Sequence, residues 1–329
     1  MAKRLVLHVG DFKSGSTSIQ VCLHRRGVVP QDQSLIYPGR AIGHYRLARA
    51  IRSGDEAAIA RLSRPLVEEI RASDADVAIL SAEHFQDMAP AMTRAWVESW
   101  LPELAGDVRV ICYVRPHAGF ILATYAEQVK LGVRDDEVDA FLDFILPLPR
   151  VQFAHRFGSW QREFPDFILR PVVPGLLSGG DVVRDFFEQV LDGPFTLEGE
   201  VRANSSLSLG DLALMRRFHR WLPLAGPALR EMLALRLQDR LAHRPEPGAR
   251  RPVFTEAQLD RVRAACGRDA ARLDGMFFEG TPMSDALANA KSVPEAPAVE
   301  GRVTGRQARA LAMLGPALLR EAVQRGFRL

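Results

Sequence analysis

Short, nearly continuous apolar runs recur along the first half of the chain, separated by longer stretches in which apolar residues return every three or four positions. Residues 5–9 (LVLHV), 76–80 (DVAIL), 107–114 (DVRVICYV) and 167–173 each read as a buried strand. Residues 34–37 read as a further short strand, ended by Pro38-Gly39. Between them, Leu47, Ala50 and Ile51, then Ile59, Leu62, Leu66 and Ile70, mark helices across 44–72. Helices are also predicted over 91–104, from Pro116 to about Gly132, over 151–164 and over 182–191. Strands alternating with helices predict an α/β fold with a parallel, doubly wound sheet. Beyond that point the pattern is helical, over 207–223, 228–243 and 255–277, the last capped by Thr255. The C-terminal half is therefore expected to be rich in helix. Residues 286–304, with Pro294 and Pro297, read as a linker, and 306–329 as an Ala/Leu/Arg-rich helix interrupted by Gly315-Pro316. The expected organisation is an α/β domain over 1–285, a linker over 286–304 and a helical tail over 305–329. The tail is expected to pack on the domain; association with a second copy, another partner or a membrane surface is the alternative.

One stretch of this pattern carries chemistry. In residues 5–20 (LVLHVGDFKSGSTSIQ) the first strand runs into a loop of small and polar residues, and a helix opens at Ser16 and Thr17. Strand, glycine-bearing loop and helix N-terminus together make a phosphate cradle: unpaired N–H groups and the helix dipole point at the anion, and glycine admits it closely. Gly10 and Gly15 have the spacing of the G-x-x-x-x-G-K-[ST] loop, and Thr17 ends the motif. The lysine position, however, is Ser16, and the lysine lies inside the loop at Lys13. A lysine after the second glycine reaches toward a γ-phosphate. Lys13 sits instead over the first turn, beside a shorter anion, where it can neutralise charge on a leaving phosphate oxygen. Ser14, Gly15, Ser16, Thr17 and Ser18 supply hydroxyls and N–H groups for the non-bridging oxygens.

In an open α/β sheet ligands bind beyond the carboxyl ends of the strands, and two more segments fall there. Glu83 and His84 follow the 76–80 strand, where a carboxylate can act as a general base; a capping or ion-paired glutamate is the equal alternative. Arg115 ends the 107–114 strand and is expected to be a second anion holder, with Thr124 and Gln128 on one face of the following helix. His8 reads as a core histidine, and His44 and His117 carry a weaker signal. Residues 202–208 (RANSSLS) read either as an N-cap at Ser206 or Ser208 or as a loop that closes over a ligand.

Composition narrows the function classes. The chain has 43 lysines and arginines against 40 acidic residues, a net charge of +3, which does not argue for nucleic acid. The eight histidines form no metal-like cluster, and the site as drawn needs no metal. Cys22, Cys112 and Cys266 are far apart and read as reduced thiols of a cytoplasmic protein. The N-terminus leads straight into the first strand with no signal-peptide core, and no apolar run approaches membrane-spanning length.

The loop HVGDFKSGSTSIQ resembles the 5′-phosphosulfate loop of PAPS-dependent sulfotransferases, in particular bacterial sulfotransferase-like proteins with an H-x-G-x-x-K-[ST]-G-[ST]-T-S-I-Q signature. Residues 113–132 (YVRPHAGFILATYAEQVKLG) resemble that family's 3′-phosphate strand and helix, and 79–85, 179–187 and 202–208 are similar to further family segments. The likeness covers about residues 4–280. It implies sulfuryl transfer from PAPS (3′-phosphoadenosine 5′-phosphosulfate) to a hydroxyl or amine of an acceptor such as a carbohydrate or secondary metabolite, with PAP as product and no metal. It implies Lys13 at the bridging oxygen, Ser14 to Ser18 on the 5′-phosphosulfate and Arg115 on the 3′-phosphate. The family serine falls at Ala123, with a hydroxyl only at Thr124, about 100° away around the helix. Relatives use histidine or glutamate as base; Glu83 ranks first because it follows a parallel strand, with His84 and His44 after it. A P-loop kinase and a non-catalytic scaffold of the same fold remain the alternatives.

Overall fold

The strand read first from the sequence lies at the centre of the sheet. In the structure, a computed structural model that describes residues 2–11, 13–199, 207–221, 227–243, 250–295 and 303–314, the chain begins with β1 (Arg4–His8), α1 (Ser16–His24), β2 (Val28–Pro30), β3 (Leu35–Ile36), α2 (Tyr45–Ser53), α3 (Glu56–Ala72) and β4 (Val77–Ser81). It continues with α4 (Pro90–Trp100), β5 (Val108–Val114), α5 (His117–Lys130), α6 (Val138–Ile145), α7 (Phe153–Glu163), β6 (Phe167–Pro171), α8 (Val182–Val190) and β7 (Phe195–Leu197). Then follow α9 (Leu209–Trp221), α10 (Pro227–Ala242), β8 (Phe254–Thr255), α11 (Glu256–Phe277), α12 (Pro282–Ala288), β9 (Ser292–Val293) and α13 (Gly305–Ala312). Residues 202–206 and 315–329, and with them Gly315-Pro316 and most of the expected tail, lie outside the described residues. Among the described residues no helix is long and apolar enough to cross a membrane.

The chain divides into two compact units: residues 1–120, 149–203 and 266–289, and residues 121–148, 204–265 and 290–329. The first holds a five-stranded sheet in the order β3-β4-β1-β5-β6, parallel at every pairing. From β1 the chain turns to β3 and β4, then crosses over β1 to β5 and β6. The strand order thus reverses between β1 and β5, and in such sheets a crevice opens at the carboxyl ends of that strand pair. The sheet is buried on both faces, which is why its strands read as continuous apolar runs rather than alternating ones. Val6, Val77, Ile79, Ile111 and Tyr113 pack with Ile19, Cys22 and Leu23 of α1 and Val183, Phe186, Phe187 and Val190 of α8. Leu5, Leu7, Ala78, Leu80 and Val110, which alternate with them, are equally buried.

Within the apolar layer beside α8 one polar group organises its neighbours. Asp185 accepts from Tyr113 Oη at 2.6 Å, from Arg170 Nε at 3.0 Å and Nη2 at 2.6 Å, and from the Ser178 N–H at 3.0 Å. Sequence expectation and structure part at element ends. The helix expected over 91–104 stops at Trp100; Leu101 takes φ −135°, as the residue before Pro102 is driven out of the helical region. An antiparallel pair, β2 with β7, was not foreseen, since three-residue strands leave no pattern to read.

The second unit is built mainly of helices. Ser208 caps α9 by accepting from the Asp211 N–H at 3.1 Å. Thr255 and Gln258 cap α11 reciprocally. Asp211 accepts from Arg306 and from Gln307 Nε2, which ties α13 to α9. Ser292–Val293 of the expected linker pairs with Phe254–Thr255.

Asp185→Ala removes the shared acceptor and leaves Arg170 and the Tyr113 hydroxyl without it. We expect a loss of about 3 kcal/mol of unfolding free energy by urea titration, with a smaller loss for Asp185→Asn.

Candidate functional site

The site begins where β1 ends. The Val9 N–H bonds Ile111 O at 3.0 Å, the Ala82 N–H bonds His8 O at 3.1 Å, and the Asp11 N–H bonds Tyr113 O at 3.4 Å, so β4 and β5 hold the strand end from both sides. The loop then folds back sharply. A Cβ at Gly10 would stand 2.2 Å from Ser16 Oγ and 2.9 Å from His8 Nε2. Gly15 has φ 99°, and a Cβ there would lie 2.8 Å from Val182 Cγ1 at the start of α8. Both glycines are required, the first by space and the second by space and conformation. Lys13 also lies in the left-handed region at φ 65°, which costs a residue with a side chain about 1 kcal/mol or more and is typical of ligand clamps. Phe12 lies outside the described residues.

Polar groups inside the loop keep it in shape. The Ser14 hydroxyl donates to Asp11 O at 2.5 Å, and Ser16 Oγ lies 3.5 Å from both Ser14 Oγ and Asp11 O. Ser14 and Ser16 are buried, Ser18 and Lys13 half-buried and Thr17 exposed. No side chain caps α1, and its first turn has no acidic residue. A helix start of that kind leaves backbone N–H groups for an anion. The side chain of Asp11, fully buried, pairs with Arg156 Nη2 of α7 at 2.9 Å. Arg156 also donates to Arg150 O and lies over the rings of Phe153 and Phe157. Sequence reasoning missed Arg156: 145 residues separate it from Asp11, and one arginine in an amphipathic helix carries no signal.

Arg115 follows β5, two residues beyond the Tyr113 carbonyl that holds the loop. Its chain packs on Gly119, where a Cβ would meet Arg115 Cδ at 3.2 Å, and its Nε is buried with no hydrogen-bond partner among the described residues. Burial lowers its pKa. An arginine in that state suits an anion that completes its bonding. Thr124 falls in the second unit; its Oγ1 is likewise buried without a partner, and Ala123 is half-buried.

Glu83 and His84 occupy a single 3₁₀ turn (Glu83–Asp87) directly after β4. Both line a cleft of about 440 Å³ with Gln20, Ile42, Gly43 and Tyr45. Gln20 ties this cleft to the loop. It stands one helical turn beyond Ser16, packs on Gly43 and donates through Nε2 to Ser81 Oγ at 3.2 Å. The His84 ring lies 5.9 Å from that of Tyr45. Burial lowers the His84 pKa; Asp87 opposes this, and Arg49, Arg52 and Arg150 add to it.

The other two histidines near the loop have structural bonding. His44 Nδ1 accepts from the Ser81 N–H at 3.0 Å, which puts the proton on Nε2, where it is donated to Pro38 O at 3.0 Å. Both ring nitrogens of His44 are thus engaged by backbone, and burial lowers its pKa. His8 is fully buried; its Nδ1 lies 2.7 Å from Ser81 Oγ, its ring packs on Phe186, and burial brings its pKa down to about 3. His117 is also buried, with Nε2 3.0 Å from Asp269, a carboxylate that caps the N-terminus of α7.

No protein-family model matches the chain, and no curated protein matches it. Among solved structures it is similar to a sulfotransferase from Alicyclobacillus acidocaldarius, at 11% identity, over 88% of this chain and 100% of that one, with a TM-score of 0.45.

Two expectations follow. Gly10→Ala forces Ser16 or His8 to move and should lower the unfolding free energy by about 2 kcal/mol, while Gly106→Ala, whose added methyl meets nothing within 4 Å, changes it little. The second concerns pH. Folded His8 stays neutral down to about 3, whereas unfolded His8 takes a proton near 6.5. The unfolded state therefore binds more protons between those values, and this share of stability is lost as pH falls through that window. His8→Gln should flatten the dependence of unfolding free energy on pH between 6 and 4 by about 1.4 kcal/mol per pH unit, read from urea titrations.

Proposed function

We propose that the protein is a sulfotransferase that moves the sulfuryl group from PAPS to a hydroxyl or amine of an acceptor such as a carbohydrate or secondary metabolite. The observation that carries this reading is the loop itself. It has the glycine-only cradle of a phosphate loop, a lysine held in a left-handed conformation within it at position 13, and a buried serine at position 16, where a nucleoside triphosphate loop needs its lysine. Ser16 turns into the loop toward Asp11 O, so no side chain there reaches out to a γ-phosphate. When bound, PAPS would supply a sulfuryl group that the acceptor oxygen or nitrogen takes up as the bond to the 5′-phosphate oxygen breaks, with PAP leaving and the acceptor proton passing to a base.

The chain's own residues take these parts. Ser14 to Ser18 hold the 5′-phosphosulfate oxygens through backbone N–H groups at the start of α1, with the Thr17 and Ser18 hydroxyls beside them. Lys13 screens the charge that develops on the leaving phosphate oxygen. Arg115 holds the 3′-phosphate through a guanidinium whose Nε is buried without a partner among the described residues. Glu83 takes the acceptor proton, His84 being the second candidate in the same cleft. His44, the third candidate, has both ring nitrogens bonded to backbone and so ranks last.

Calorimetric titration tests the reading. PAP should bind, and Lys13→Ala and Arg115→Ala should each weaken it about tenfold or more, as expected for a lost charge-assisted bond to phosphate. Glu83→Gln should lower turnover while leaving PAP affinity nearly unchanged. PAP affinity that survives both cation substitutions would sink the site assignment. Magnesium-dependent binding of ATP in preference to PAP would favour the kinase, and no nucleotide binding at all would favour the scaffold.

A further inference from the structure

The proposed cleft has a basic neighbour. A groove of about 720 Å³ lies between α2 and α3, and Tyr45 lines both it and the cleft that holds Glu83 and His84. Arg46, Arg49 and Arg52 of α2 and Arg61 of α3 line this groove against a single carboxylate, Asp55. Asp55 is already used, as it accepts from the Ala58 N–H to cap α3. Arg52 approaches Asp87 only at 3.9 Å. Arg46, Arg49 and Arg61 make no ion pair among the described residues. The three arginines of α2 stand three residues apart, so the charges climb the helix in steps of about 4.5 Å. Like charges at that spacing repel, and the approach of Asp87 to Arg52 is the one countercharge that the described residues bring to the three. The field of this groove reaches the cleft, since Arg49 and Arg52 both act on His84.

We infer that this groove binds the acceptor, and that the acceptor is a hydroxylated molecule carrying more than one oxyanion group, such as carboxylates or sulfate esters on an oligosaccharide. The word acceptor rests on the sulfuryl-transfer reading; the recognition of oxyanions does not. Arginine guanidinium groups pair with carboxylate and sulfate through two parallel N–H donors, and several of them in a row suit a repeated anion better than an isolated one. Tyr45 offers a flat ring at the junction, where a sugar hydroxyl next to the anchored groups can pass into the Glu83 cleft.

The test uses the full chain without nucleotide. Calorimetry is run with an oligogalacturonate, a sulfated oligosaccharide and a neutral oligosaccharide of equal length. Arg46→Gln, Arg49→Gln and Arg52→Gln are combined in one variant; all three side chains are exposed, and intact folding is checked by thermal unfolding. At least one anionic oligosaccharide should bind, more weakly as salt rises, and the triple variant should weaken it about tenfold or more. The neutral one should not bind measurably. Failure of both anionic probes, equal binding of the neutral one, or an unchanged affinity in the triple variant overturns the inference. A single-stranded oligonucleotide that binds more tightly through the same arginines also overturns it, in favour of a nucleic-acid groove. PAP is titrated in parallel and should bind wild type and triple variant alike. Loss of PAP binding in wild type with anionic binding intact would fail the transfer reading and leave the groove standing. PAP binding without anionic binding would do the reverse.

Discussion

Residue 10 has room for a hydrogen and nothing larger. The backbone passes so close to Ser16 Oγ and His8 Nε2 that the loop must turn back over the end of β1. Much of the site's geometry follows from that turn. It carries the start of α1 to the central strand's end, directs Ser14 and Ser16 inward to bond Asp11 O, and leaves the first turn of α1 uncapped. The buried Asp11–Arg156 pair then anchors the loop from α7. A buried pair of this kind does little for net stability against an apolar alternative. What it does supply is a fixed position for a loop that also carries a strained Lys13.

The same register sorts the histidines. His8, His44 and His84 all lie close in the fold to Ser81 or to the turn after it, yet their surroundings differ. His8 and His44 are buried, and burial disfavours their protonated forms. His44 in addition spends both nitrogens on backbone groups. His84, half-buried beside Glu83, faces a cleft. A proton-transfer group must be reachable by the atom it serves, and on that ground Glu83 and His84 differ from the other two. The groove beyond Tyr45 adds a charged wall beside that cleft.

Much of the fold was legible because a parallel sheet covered on both sides needs strands that are apolar throughout, and helices between them that are apolar on one side. Residues 76–80 and 107–114 could hardly be read otherwise. The loop was legible too, since Gly10, Lys13, Gly15 and Ser16 lie within seven residues, where spacing reflects geometry. Element ends were less so: the preference of the residue before Pro102 outweighed an otherwise helical pattern. The pair β2–β7 was hidden because its partners are three residues long and over 160 positions apart.

What the sequence determined alone is therefore local: the order of strands and helices, the glycine-bearing turn between β1 and α1, and a lysine at position 13 with a serine at position 16. Each depends on residues close along the chain, whose backbone demands do not wait for distant partners. Tertiary structure alone decided that Asp11 pairs with Arg156, that Gln20 joins the loop to the Glu83 cleft through Ser81, that His44 is bonded on both sides, and that four arginines of two helices face one groove. Those relations join residues brought together only by the packing of helices on the sheet, and a side chain's burial, charge and reach are set by that packing rather than by its neighbours in sequence.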